Sequence, residues 1–317
     1  RSSKSWPSPA VANDASGQSV PPGRQLDRAV KWRWRAYSGR SVRTGCQTGE
    51  MAADDPLDDF ELGSHSGGGF TREVHRSGEG PNCIVMAEIP GITPAVADFA
   101  RRVRTLGCSV TLPVLFGEPG RSISPSYIAR SITKACVASE FAAFATNSTA
   151  PISTWLRSLA NAEHERCGGP GVGAVGMCFT GGFALGMMTE PSVVAPVLSQ
   201  PSLPIGPGKR RSSSVHLSPV DRAAVEARAA AGVCVIGARF SDDPLSPARR
   251  FAALEDLLGE NFIGIEIDSS KNNPHGNRRL AHSVLTEDLV DEPGHPTRVA
   301  LDQVLEFLAD RLLPDAG

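Results

Sequence analysis

The chain has no apolar run near the roughly 18 to 20 residues of a bilayer-crossing helix, which argues against a helical membrane protein. It has no C-x-x-C pair, so the spacing that marks zinc ribbons and dithiol redox centres is missing. It has no excess of charge: 32 Lys and Arg against 34 Asp and Glu leave a net charge of −2. Nothing there favours nucleic acid as the main partner. No apolar h-region opens the chain, which speaks against a secretory signal, and no internal repeat is visible. What remains is 317 residues with 40% hydrophobic and 21% charged side chains, ordinary for one large domain with a tail or two small ones. The seven cysteines (46, 83, 108, 136, 167, 178 and 234) form an odd set. Several lie in apolar runs, where a free thiol behaves as a small hydrophobe. They read as reduced, and the compartment as cytoplasmic.

Residues 1–50 hold nine Lys or Arg against three acids, with much Ser, Gly and Pro. The composition predicts a disordered basic leader, since it offers little apolar surface to bury. It is also the Arg- and Ser-rich, acid-poor composition of organelle transit peptides. Lys31-Trp32-Arg33-Trp34-Arg35 is too short and isolated to make a nucleic-acid contact, and charge runs are usually solvated. Met51-Ala-Ala-Asp-Asp reads as a natural beginning. Residues 51–69 read as an acidic, glycine-rich lead-in, and 70–313 as the folded domain.

Over 70–313 short apolar runs alternate with helical spacing. Strands are expected at 70–76, 83–89, 110–115, 171–177, 193–198, 233–240 and 262–267. Helices are expected at 94–106, 127–146, 152–165, 180–188, 223–231, 247–258 and 297–313, with a loop at 200–219. Buried parallel strands read as continuous apolar runs, so the pattern predicts an α/β fold: a mostly parallel sheet with helices on both faces.

Gly176-Met177-Cys178-Phe179-Thr180-Gly181-Gly182 joins one of these strands to a helix. This is the layout of a nucleophile elbow, a turn so sharp that its middle side chain stands exposed. Cys178 is therefore the candidate nucleophile, against the plainer reading of a buried structural thiol. The same turn aims the Phe179 amide at a developing oxyanion. His282, after the last strand, is the candidate base, ahead of His275 in a turn and His295 at a helix start. Two adjacent acids, Asp242 and Asp243, follow the strand ending at Phe240. Asp243 is favoured, and either could cap the next helix. The order nucleophile, acid, base is that of the α/β-hydrolases. Glu88 ends a buried strand at the sheet edge that faces such a site, and the amide of Ile89 is the candidate second oxyanion donor.

Five segments in this order resemble the dienelactone hydrolase family: Glu88-Ile89-Pro90-Gly91-Ile92, Leu112 to Gly117, the Cys178 elbow, Asp243 with Pro247, and Ala281-His282-Ser283. The resemblance implies an α/β-hydrolase fold, a Cys178–Asp243–His282 triad, no metal and no cofactor. It implies a small ester or lactone as substrate, and a Glu88 that hydrogen-bonds the resting cysteine. Thioester or activated-amide cleavage on the same site, and a non-catalytic scaffold, are the competing functions. Three positions depart from the family. Thr180 takes a glycine's place in the elbow and is expected to alter the turn or narrow the site. Thr286 and Glu118 stand where dienelactone-cleaving members carry arginines that read a substrate carboxylate. Arg121 is the candidate replacement, with Arg278 and Arg279 as others.

Overall fold

A computed structural model describes residues 53–137, 150–202, 214–215 and 217–313. The expected leader 1–50, the second half of the 127–146 helix and much of the 200–219 loop lie outside these residues. Eight strands form one sheet: β1 (Glu61–Gly67), β2 (Phe70–Ser77), β3 (Asn82–Met86), β4 (Ser109–Pro113), β5 (Val172–Met177), β6 (Val193–Ser199), β7 (Val235–Phe240) and β8 (Phe262–Ile267). Their order is β1-β2-β4-β3-β5-β6-β7-β8. β1 and β2, and β2 and β4, pair antiparallel, while β4-β3-β5-β6-β7-β8 run parallel. β3, β4, β5 and β7 are buried along their whole length, as the apolar runs require.

Among the described residues six helices lie between strands, α1 (Pro94–Arg104), α2 (Pro125–Val137), α3 (Pro151–Cys167), α4 (Gly181–Met187), α5 (Pro219–Ala230) and α6 (Ala248–Leu258), and a seventh, α7 (Pro296–Leu312), follows β8. Five of them carry proline in the first turn, where the missing N–H costs nothing because no intrahelical acceptor exists there. On one face of the sheet Val96, Phe99 and Val103 of α1 and Leu301, Val304 and Leu308 of α7 pack in one apolar cluster with Val85, Val175 and Val197. On the other, Ile152, Trp155, Leu156 and Leu159 of α3 join Ile84, Met86 and Ala174. Among the described residues, no helix is long and apolar enough to cross a membrane.

Within the expected lead-in 51–69, residues 61–67 form the edge strand of the sheet. β1 pairs along its whole length with β2, and Leu57 and Phe60 are buried in the α1–α7 cluster. Most β1 side chains are exposed, so the segment has no apolar alternation to read. Main-chain bonds to β2 hold it, and the turn uses Gly68 and Gly69, both at positive φ.

Candidate functional site

The sheet brings four of the sequence-predicted residues to one edge. Glu88 lies just beyond the C-terminal end of β3, Cys178 directly after β5, Asp243 after β7 and His282 after β8. In open parallel sheets this is the edge where ligands bind.

Cys178 sits at φ +54°, in the left-handed region that a residue with a Cβ occupies only at a cost. The turn is enforced from both sides. A Cβ on Gly176 would lie 2.2 Å from the Thr180 carbonyl oxygen, and one on Gly181 would lie 2.8 Å from Cβ of Pro201. Cys178–Thr180 form a single 3-10 turn leading into α4. The Phe179 amide therefore belongs to the first turn, whose N–H groups have no partner within the helix.

Thr180 does not narrow the site, contrary to that expectation. Its side chain is fully buried and points into the fold. Its hydroxyl accepts from the Met177 amide at 2.7 Å and donates to the carbonyl of Met86 or Met177, each at 2.9 Å. It staples the elbow to the end of β3, two residues before Glu88.

His282 Nδ1 lies 2.7 Å from Oδ2 of Asp243, whose side chain is 1% exposed. Asp242 instead faces Arg279 at 3.5 Å and remains one-third exposed. Nε2 of His282 is buried and is left for the Cys178 sulfur, since among the described residues no other group bonds it. A His282 ring nitrogen, the Cys178 sulfur and a Glu88 carboxylate oxygen all lie within 4.8 Å of one another. Since Nδ1 is taken by Asp243, Nε2 is the nitrogen free to serve the thiol. Burial alone would depress the pKa of His282. The negative charge of a Cys178 thiolate and the hydrogen bonds to Asp243 and Cys178 outweigh it and raise the pKa to about 11.

Three neighbours carried no signal in the sequence. Ser202, in the loop after β6, places Oγ 2.8 Å from the Cys178 sulfur and donates its amide to the Cys178 carbonyl at 2.9 Å. Gln200, buried and at φ +34°, donates Nε2 to Glu88 at 3.4 Å and accepts from the Val284 amide at 3.3 Å. Arg250 of α6 is buried and donates from Nη1 to the carbonyls of Pro201 (2.7 Å) and Leu245 (2.8 Å). It thus clamps the Ser202 loop to the Asp243 loop. Burial lowers its pKa to about 10, against the opposing pull of Asp243 and Cys178. No motif or spacing in the sequence marks it.

Glu88 is turned to hydroxyls. Ser283 Oγ donates to Oε2 at 2.7 Å and Thr286 Oγ1 to Oε1 at 2.5 Å. The partner found for the thiol is Ser202, where the family resemblance implies Glu88. Ile89, next to Glu88, packs with Phe116, Phe179, Phe183 and Cys178 in an apolar wall. Arg121 is engaged by Glu118 at 2.6 Å and lies over the Tyr127 ring at 4.7 Å. Arg278 pairs with Asp288. His275 is exposed and stacks edge-on against His295, which caps α7.

No protein-family model and no curated protein matches the chain. Solved structures do. One from Klebsiella pneumoniae, assigned as a dienelactone hydrolase, superposes with a TM-score of 0.52 at 17% identity, over 79% of this chain and 98% of that one. A cold-adapted esterase from an Arctic intertidal metagenomic library gives 0.50 at 11% identity, over 80% and 97%. The sheet order, the elbow after β5 and these likenesses agree: the chain has the α/β-hydrolase fold and resembles the dienelactone hydrolases in structure.

Proposed function

We propose that the chain is a thiol hydrolase that cleaves small esters or lactones through a Cys178 acyl-enzyme, in a reducing, cytoplasmic compartment. The observation that carries this reading is the alignment of a strained, partly exposed cysteine with an imidazole whose far nitrogen is held by a buried aspartate. The Cys178 thiolate adds to the substrate carbonyl, and the amides of Ile89 and Phe179 take up the oxyanion. The His282 imidazolium gives its proton to the leaving alkoxide, so the alcohol departs and a thioester remains. His282 then removes a proton from water, whose oxygen attacks the thioester. The acid leaves and the thiolate–imidazolium pair is restored.

Neutral substrates suit this site better than carboxylates. Glu88 already places an acidic group in the cleft, Thr286 is spent on Glu88, and Glu118 is spent on Arg121. A substrate carboxylate that lacks one charge-assisted hydrogen bond loses roughly 1.5 to 3 kcal/mol, about tenfold to over a hundredfold in affinity. Neutral aryl esters or lactones are thus expected to show higher kcat/KM than dienelactone.

The test joins labelling with turnover. Iodoacetamide at neutral pH should modify Cys178 ahead of Cys83 and Cys108, whose thiols are buried and pushed up in pKa by burial. His282→Ala should lower esterase turnover by on the order of a hundredfold or more, while His275→Ala should be mild. A Cys178→Ala protein that hydrolyses esters at the wild-type rate would end the proposal.

A further inference from the structure

We infer that Cys178, His282 and Glu88 also make a three-ligand site for a thiophilic divalent cation, Zn2+ in particular, through which the metal reversibly silences the catalytic group. The inference rests on the reading above that these side chains share one cleft, and it adds a mode of regulation to that site. They offer one sulfur, one imidazole nitrogen and one carboxylate oxygen, mutually within 4.8 Å. Tetrahedral zinc, with bonds of about 2.0 to 2.3 Å, needs donors roughly 3.3 to 3.8 Å apart. Rotation of the Cys178 side chain narrows the spacing toward these values, while Glu88 stays on its hydroxyl partners.

Each donor is prepared for a cation. Nε2 of His282 is buried and has no hydrogen-bond partner other than the Cys178 sulfur among the described residues. Nδ1 is fixed on Asp243 at 2.7 Å, the carboxylate–imidazole support that metal-binding histidines use. Glu88 is held in turn. Its Oε2 accepts from Ser283 and Gln200, while its Oε1 accepts from Thr286. Each carboxylate oxygen has two acceptor positions, so among the described donors one position on Oε1 is open. The mixed sulfur, nitrogen and oxygen set selects zinc over magnesium or calcium, which take oxygen alone. Cys178 is only partly buried, so a water can complete the fourth position.

The chemistry balances simply. Bonds form from the metal to Sγ, Nε2 and Oε1, and the proton shared by Cys178 and His282 leaves to solvent. Nothing is oxidised or reduced. With the sulfur and Nε2 both occupied, neither nucleophile nor base is available. The missing C-x-x-C gave no hint of this, because the donors at 88, 178 and 282 meet only through the sheet.

The experiment titrates the full chain anaerobically with Co2+, read as a thiolate-to-cobalt charge-transfer band, and with Zn2+ in competition with a chromophoric chelator. One equivalent should bind, the band should vanish in Cys178→Ala, and Glu88→Gln should weaken Zn2+ by at least about tenfold. Melting curves establish that both variants fold. Ester hydrolysis should fall with Zn2+ and return with EDTA. Absence of a band at millimolar Co2+, an unchanged band in Cys178→Ala, or unchanged affinity in Glu88→Gln overturns the inference. A Cys178-dependent band in a protein that hydrolyses no ester would uphold the metal site while sinking the hydrolase reading. Hydrolysis with no metal bound would do the reverse.

Discussion

Thr180→Val tests whether the elbow is held by a hydroxyl rather than by glycine. Valine matches threonine in volume and fits the αR backbone at this position, φ −79° and ψ −9°. The change therefore removes hydrogen bonding and little else. In the native protein the hydroxyl satisfies the buried Met177 amide at 2.7 Å and reaches a carbonyl of Met86 or Met177. Valine leaves that amide without its partner at a site with no access to water. The penalty for a buried, unsatisfied polar group is about 1 to 3 kcal/mol, and the lost donor to the carbonyl brings the expected value to about 2 to 3 kcal/mol. For a domain of this size each kcal/mol lowers Tm by about 2 to 4 °C, so the drop should be roughly 4 to 12 °C. Thr180→Ser is the control. It keeps the hydroxyl and loses one buried methyl, a cost of about 1 kcal/mol and a few degrees. Both variants, with wild type, should be melted by circular dichroism and unfolded in urea, to confirm that m is unchanged. If Thr180→Val melts with wild type, or above Thr180→Ser, the hydroxyl staple is not what holds the turn.

Four further outcomes follow from the geometry of the site. Asp243→Asn should lower ester turnover by at least about a hundredfold, because an amide lacks the negative charge that supports the imidazolium and can hold the ring in the wrong tautomer. Asp242→Asn, which loses only a surface pairing with Arg279, should stay within about twofold in the same assay. In Cys178→Ala the charge and hydrogen bond of the thiolate are gone while burial still disfavours imidazolium. The His282 pKa, followed by NMR through the ring protons, should thus fall from about 11, and an unchanged value would refute the thiolate as its main support. Because the folded pKa is raised, the imidazolium's contribution to stability is full below the unfolded value near 6.5 and fades as pH rises toward 11. Wild type should therefore lose stability over this range by a steeper slope than His282→Ala. Ser202→Ala removes the 2.8 Å contact to sulfur and should slow alkylation of Cys178 severalfold with little change in Tm; equal alkylation rates would assign Ser202 no part in activating the thiol.

The sequence by itself determined the alternating architecture, because strands buried on both faces must be apolar along their length, as β3, β4, β5 and β7 are. It determined the elbow too, since Gly176 and Gly181 stand where a Cβ would strike Thr180 or Pro201. The chain order of Cys178, Asp243 and His282 was legible for the same reason: each follows a strand that periodicity alone locates. β1 was not legible, because main-chain pairing with β2 holds it and its side chains bear no pattern. Tertiary structure decided everything that depends on which way a side chain points. It turned Asp243 inward to His282 and Asp242 outward to Arg279, from adjacent positions of like chemistry. It directed the Thr180 hydroxyl into the fold, Thr286 onto Glu88 and Arg250 beneath the loops of the site. Ser202 and Gln200 reach the thiol and Glu88 because β6 lies beside β5, and partners so distant along the chain leave no spacing to read.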